Sequence, residues 1–316
     1  MKILLTGGAG FIGFHLAKAL LERGDSIVIV DNFSDYYDPS LKQARIDTIQ
    51  NNPNLKVERI DISNYKEIEE IFKQNKFDKV CHLAAQAGVR YSMENPFAYE
   101  RDNVLGTLNM LELCKQFKVK DFVFASSSSV YGGNKEKASS EKDNVDTPFS
   151  IYAATKKANE LYAHVYHKLY GLNCTGLRFF SVYGDYGRPD MAIFLFTKAI
   201  SEGKPIDVFN KGDMKRDFTH VSDIVAGIVA AIDNPFPYEI FNLGLGKPEA
   251  LMDFIEEIEK NLNKKATKNF LPLQKADPLS TYANIEKAKK MLNYNPQVTI
   301  QQGIKQFVEW YNKFYN

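Results

Sequence analysis

The chain has 316 residues, with 40 basic against 39 acidic side chains and a pI near 7.6. That balance, without a basic stripe interleaved with aromatics, excludes a nucleic-acid binder, and no apolar run approaches the ~18 residues of a membrane span. Cys81, Cys114 and Cys174 are scattered in apolar contexts, which excludes a disulfide framework or a metal site and points to a soluble protein of the reducing cytoplasm.

Residues 2–6 read as a strand, Gly7-Gly8-Ala9-Gly10-Phe11-Ile12-Gly13 as the turn into a helix over 14–23, and residues 26–30 as a second strand ending at Asp31. Strand, glycines, helix, strand and acid in this order form a dinucleotide-binding fingerprint. The glycines (Gly7, Gly10 and Gly13) allow a tight turn and close approach of a pyrophosphate, whose charge meets the helix N-terminus beside Phe11 and Ile12. Asp31 suits an adenosine ribose diol. Asn32 and Phe33 follow it instead of an arginine, which favours NAD over NADP.

A polar, aromatic loop over 34–39 leads to a helix over 41–51, and a strand over 56–60 ends in Asp61-Ile62. Asp61 has two readings, acceptor for the adenine amino group or cap of the helix over 63–74. The strand over 78–83 carries His82, read as a packed core residue, and ends at Leu83; in Ala84-Ala85-Gln86-Ala87-Gly88, which follows, small residues let a cofactor ribose lie close. A helix over 96–117 offers Asn103 as an inward polar residue.

Residues 121–125 read as a buried parallel strand, followed by Ser126-Ser127-Ser128-Ser129. A helix over 152–170 opens with Tyr152-Ala153-Ala154-Thr155-Lys156, which puts Lys156 beside Tyr152 on one face. A phenol titrates near ~10 in water, and a neighbouring ammonium lowers that value toward the range of a general base. Taken alone, Tyr-x3-Lys is also an ordinary surface pair; the dinucleotide fingerprint reverses the odds. After a sixth strand over 174–180 the texture changes to a polar loop over 181–190, a helix over 192–201 and a strand over 206–209. A helix over 221–234, a strand over 239–243 and C-terminal helices complete the chain.

With residues 7 to 13, 31, 61, 127, 152 and 156 assembled, the sequence resembles the extended short-chain dehydrogenase/reductase family over nearly its whole length. Within that family it is similar to the nucleotide-sugar 4-epimerases, most closely those acting on UDP-glucuronate. That finer likeness rests on the residue runs 31–38, 87–92, 188–192 and 213–218. The resemblance implies tightly held NAD, Tyr152 as acid/base, Lys156 as its support and Ser127 as partner hydroxyl. It also implies a homodimer built on the helices over 96–117 and 152–170, with Leu105, Met110 and Val165 in the contact. Sister dehydratases carry Asp-Glu where Ser128-Ser129 stand here, and related decarboxylases carry Glu at the place of Ser129.

The expected architecture is α/β: a Rossmann-type doubly wound parallel sheet (residues 1–180, with a return segment about 216–242). A smaller C-terminal α+β substrate domain takes 181–215 and 243–316. Arg188 and Arg216 are expected on the diphosphate of a UDP-sugar, with Asp277 near the uridine. Phe209 is read as stacking on uracil or as core. A hexuronate oxidised at C4 is a β-keto acid prone to lose carbon dioxide, so its carboxylate must be held without alignment to the ketone. Ser128 and Ser181, with Ser127 shared, are the hydroxyls expected to seat it; the other reading of Ser181 is a loop cap. The competing functions are 4-epimerisation of a neutral or N-acetylated UDP-hexose, UDP-glucuronate decarboxylation, and a non-catalytic NAD sensor.

Overall fold

The architecture follows from apolar strands that must bury both faces. The structure is a computed structural model and describes residues 1–133, 137–273 and 278–315. The strands β1 (Lys2–Thr6), β2 (Ser26–Val30), β3 (Leu55–Glu58), β4 (Lys79–His82), β5 (Asp121–Ser127) and β6 (Asn173–Phe179) form one sheet with the strand Tyr238–Leu243. Every pairing is parallel, in the spatial order Tyr238–Leu243, β6, β5, β4, β1, β2, β3. The order reverses between β1 and β4, so a crevice opens beyond their carboxyl ends.

Side-chain alternation divides the core between the two faces. Ile3, Leu5, Ile27 and Ile29 pack with Phe14, Leu20, Ile224 and Ile228 on one side. Leu4, Val28, Val80 and Phe122 pack with Ile68, Phe72, Leu111 and Ala163 on the other. A third cluster holds Phe194, Val208, Phe254, Ile258 and Phe307, from the chain after residue 181. The clusters cut across the expected division of the chain: Val182 packs in the first and Phe218 in the third. Ala283, Ile285, Ala288, Leu292 and Tyr294 belong to the first cluster, so the helix Glu286–Leu292 returns to the sheet rather than to the smaller core.

Local differences have physical causes. The first helix spans Phe11–Glu22, winding directly out of the glycine turn three residues earlier than expected. The helix expected over 96–117 is helical from Pro96 to Gln116 but turns π-helical over Glu100–Leu105. Such an insertion rotates side chains off the regular stripe. Met110, expected on an outer face, is fully buried, whereas Leu105 and Val165 are exposed. Short strands in the C-terminal part were not expected: Lys268–Leu271 pairs with Ile206–Phe209, and Lys215–Arg216 lies between Glu249–Ala250 and Ser280–Thr281. No helix among the described residues is long and apolar enough to cross a membrane, and none of their His, Cys, Asp or Glu groups could hold a metal ion.

Candidate active site

The crevice at the strand reversal continues into a cleft of about 1170 Å³ between the sheet and the third cluster. At its sheet end the turn after β1 is packed as tightly as backbone allows. A Cβ on Gly7, where φ is 72°, would lie 2.6 Å from the Ala84 nitrogen, and one on Gly13 would lie 2.1 Å from the Gly7 oxygen. The helix beginning at Phe11 has neither a side-chain cap nor an acid in its first turn. Its first N–H groups and dipole are therefore available to an anion.

Asp31 is buried at the end of β2, accepting from the Ala9 N–H (3.1 Å) and the Phe33 N–H (2.8 Å). Asp61 accepts from Asn32 (3.0 Å) and from the Ser63 N–H and hydroxyl (2.8 and 2.7 Å). Burial opposes its charge, but those hydrogen bonds hold its carboxyl below the usual range. The cap of the helix Tyr65–Gln74 is Asn64, not Asp61. Gly7, Gly10, Phe11, Ile12, Gly13, Asp31, Asn32, Asp61, Ile62, Leu83, Ala84 and Ala85 all line the cleft. A dinucleotide fits this cradle: bare N–H groups for its diphosphate, carboxylates for its ribose and adenine, and small residues beneath.

Asn103 points inward as expected: it lies in the π-helical segment and is fully buried behind the wall. Its amide accepts from the Gln86 N–H (2.8 Å) and donates to the Gln86 carbonyl (3.1 Å) and to Thr155 (3.0 Å). It fixes the loop after β4 to the Tyr152 helix instead of facing the cleft. His82 is a core residue, its ring nitrogens bonded to Thr6 (2.7 Å) and Thr107 (3.0 Å) and its pKa lowered to about 3 by burial.

The helix Ile151–Tyr170 is delimited by chemistry legible in its ends. Ser150 accepts from the Ala153 N–H (3.1 Å), and Gly171 closes the last turn in the left-handed conformation. Tyr152, Lys156 and Glu160 follow at four-residue spacing. Burial raises the Tyr152 phenol, against a hydrogen bond with Ser127 and the charge of Arg188. Burial lowers Lys156 to about 8, and its ammonium donates to the Ala125 carbonyl (2.9 Å). The expected lowering of the phenol by Lys156 is therefore not the dominant effect: desolvation wins, and the cation opposing it is Arg188.

Glu160 anchors this helix from below. It takes both Arg178 Nε and Nη2 (2.8 Å each) and the Ser126 hydroxyl (2.6 Å), tying the helix to the ends of β5 and β6. Ser127 Oγ accepts from the Ser129 N–H and donates to the Ser129 hydroxyl, both at 3.1 Å. Ser127, Ser128 and Ser181 line one stretch of the cleft. Ser181 gets there because its strand, Ser181–Tyr183, leaves the main sheet to pair with Phe218–His220.

Across the cleft stand Arg188, Phe209 and Arg216. Arg188 pairs with Asp190 through two bonds (3.0 and 2.5 Å). Burial works against its charge, yet Asp190 more than offsets it and raises the guanidinium further. Its charge also acts on the Tyr152 phenol, against the effect of burial. The Phe209 ring faces the cleft with the Arg90 guanidinium 5.1 Å above it, while neighbouring Val208 takes the core position. Arg216 Nη1 donates to the Lys215 (2.9 Å) and Leu279 (3.3 Å) carbonyls. Asp277 lies outside the described residues. Sequence reasoning missed Lys42, Gln86 and Asp190 in the lining; only Asp190 had a signal, its place beside Arg188.

Residues 3–244 match the NAD dependent epimerase/dehydratase family. The chain is 47% identical over 308 residues to the UDP-glucuronate 4-epimerase of Thermodesulfobacterium geofontis (strain OPF15), a match covering 97% of this chain and 95% of that one. It is 46% identical over 333 residues to UDP-glucuronate 4-epimerase 4 of Arabidopsis thaliana, covering 100% of this chain and 76% of that one. The crystal structure of UDP-glucuronic acid 4-epimerase from Bacillus cereus, in complex with UDP-glucuronic acid and NAD, matches with a TM-score of 0.94 at 38% identity over 100% of both chains. With the family's match spanning most of the sequence and relatives this similar along its length, the chain belongs to the NAD dependent epimerase/dehydratase family.

Proposed function

We propose that the protein is an isomerase that converts UDP-glucuronate to UDP-galacturonate, with NAD held in the cradle after β1. The observation that carries the reading is the convergence in one cleft of Tyr152, Lys156 and Ser127 with the Ser128 and Ser181 hydroxyls. When bound there, NAD would supply the acceptor and then the donor of the hydride exchanged with the sugar C4. Gly7, Gly10, Gly13 and the helix N-terminus hold its diphosphate, Asp31 its ribose and Asp61 its adenine. Tyr152, starting as the phenolate that Ser127 and Arg188 favour against burial, takes the proton of the C4 hydroxyl as the ketone forms and gives it back as the ketone is reduced. Ser127 shares that proton at hydrogen-bond distance, and Lys156 holds the local charge. The UDP portion, gripped by Arg216 with Phe209 against the uracil, stays fixed while the sugar turns. The charge of Arg188 favours the phenolate.

The carboxylate is the hazard. Beside a C4 ketone it leaves as carbon dioxide when the breaking bond aligns with the carbonyl. Ser128 and Ser181 hold it by single hydrogen bonds, which orient it without a rigid clamp.

The reading includes a two-fold homodimer in the cytoplasm. The helix Ile151–Tyr170 exposes Leu161, Val165 and Leu169 (54%, 45% and 66%), beside Leu105 on its neighbour, a larger apolar face than a helix normally leaves in water. Light scattering at micromolar concentration reads a dimer if this is right and a monomer if it is wrong. The function itself is tested by NMR of the products with UDP-glucuronate and UDP-glucose supplied separately. UDP-galacturonate from the first, with at most slow turnover of the second, supports the reading. A UDP-pentose product, or preferred epimerisation of UDP-glucose, rejects it.

A further inference from the structure

The polar, aromatic loop after Asp31 and the helix Pro39–Asp47 have no part in the proton chemistry, yet they carry Arg45, which is 0% exposed. Among the described residues no carboxylate pairs with this guanidinium. Its hydrogen bonds go to neutral oxygens: Nη1 to the Ala9 carbonyl (2.9 Å) and the Tyr37 hydroxyl (2.7 Å), Nε and Nη2 to the Tyr186 carbonyl (3.1 and 2.7 Å).

The two carbonyls belong to different sites. Ala9 is in the glycine turn, and its N–H is already held by Asp31, so that residue is gripped from both ends. Tyr186 is in the loop leading to Arg188 and adopts φ 54°, a left-handed conformation unusual for tyrosine. Its ring is wedged against Phe14 (5.1 Å) and Trp310 (5.0 Å). The same loop is tied to the cofactor side twice more. His15 Nε2 bonds the Asp185 carbonyl (2.8 Å), and the Tyr36 hydroxyl donates to Asp190 (3.2 Å), the partner of Arg188.

A buried charge without a counter-charge depends on every hydrogen bond it makes. If the Ala9 or the Tyr186 carbonyl moves away, guanidinium N–H groups are stranded, so the two carbonyls must move together. We propose that Arg45 is a positioning residue that couples the dinucleotide turn to the sugar-facing loop, so that occupancy of either site tightens the other. This rests on the reading of the cleft as the NAD and UDP-sugar site. The planar fork matters, because a lysine reaches one of these oxygens but not all of them.

The test uses the holoenzyme and the rate at which NAD leaves it on dilution, with and without saturating UDP. In the parent, UDP slows release about fivefold or more, the lower end of ordinary site coupling. In Arg45→Lys and Arg45→Met the ratio of the two rates falls to near one, and the KM for UDP-glucuronate rises by a larger factor than kcat falls. A folded Arg45→Lys protein that keeps the parent's ratio overturns the proposal. Should both variants fail to fold, His15→Ala and Tyr37→Phe take their place: a partial fall in the ratio is expected, and an unchanged ratio in both overturns it. A parent that binds neither NAD nor UDP sinks the functional reading. A parent that binds both while the variants keep its ratio sinks the coupling alone.

Discussion

The two walls of the cleft are built differently. The wall at the sheet ends is contiguous and stiff: a glycine turn with no room for a Cβ, a strand end bearing Ser127, and a helix capped at both ends. The facing wall is pieced together from two- to four-residue strands paired over long sequence distances, such as Lys215–Arg216 between Glu249–Ala250 and Ser280–Thr281. On the first wall, geometry comes from spacing along the chain. On the second it comes from tertiary assembly. In the proposed function, proton and hydride chemistry, intolerant of small displacements, falls to the stiff wall, and the grip on UDP to the assembled one.

The sharpest way to break this division is on the stiff wall. Tyr152→Phe removes the phenol hydroxyl without disturbing the half-buried ring, so kcat should fall about 10³-fold while bound NAD and thermal stability are kept. Turnover within a few-fold of the parent would take Tyr152 out of the proton path. At Ser181, which lines the same stretch of the cleft but on a short strand that has left the main sheet, the loss should be smaller and of another kind. Ser181→Ala removes one charge-assisted hydrogen bond to the carboxylate, on the order of 1.5–3 kcal/mol in turnover. It should also release some UDP-pentose that the parent does not. Normal epimerisation without pentose would make Ser181 a structural residue.

Lys156 sharpens the comparison without kinetics. Burial lowers it from 10.5 to about 8, so its folded value lies below its unfolded one. Between about pH 8 and 10.5 the unfolded chain binds the proton more tightly, and stability rises with pH across that window. Below pH 8 the fold carries the full cost of a buried ammonium. In NAD-free protein, Lys156→Met should therefore gain stability over the parent below pH 8, lose that advantage toward pH 10.5, and turn over poorly throughout. Parallel melting profiles from pH 7 to 10.5 would contradict the burial argument.

These walls were not equally legible in the sequence. The run from Gly7 to Asp31 and the spacing of Tyr152 and Lys156 fix their own geometry, because a turn and a helix are local objects. The π-helical segment that carries Asn103 was not foreseen, since it leaves no mark in a 3.6-residue pattern. Met110 went into the core for the related reason that tertiary packing decides which apolar residues a face exposes. The partners of Arg45 were invisible: Ala9 and Tyr186 stand 36 and 141 positions away, and nothing in the local run announces either. Arg188 was expected at the site, but the effect of its charge on Tyr152 depends on the fold that brings a loop 36 residues further along the chain to the same cleft.

The central claim is that Tyr152 handles an exchangeable proton on oxygen while the hydrogen on C4 leaves and returns within one closed site. UDP-glucuronate deuterated at C4, turned over in ordinary water with excess unlabelled NAD present, tests it directly. The account predicts UDP-galacturonate with the deuterium retained in full at C4. Product that has lost the label to solvent or to the added cofactor would contradict it.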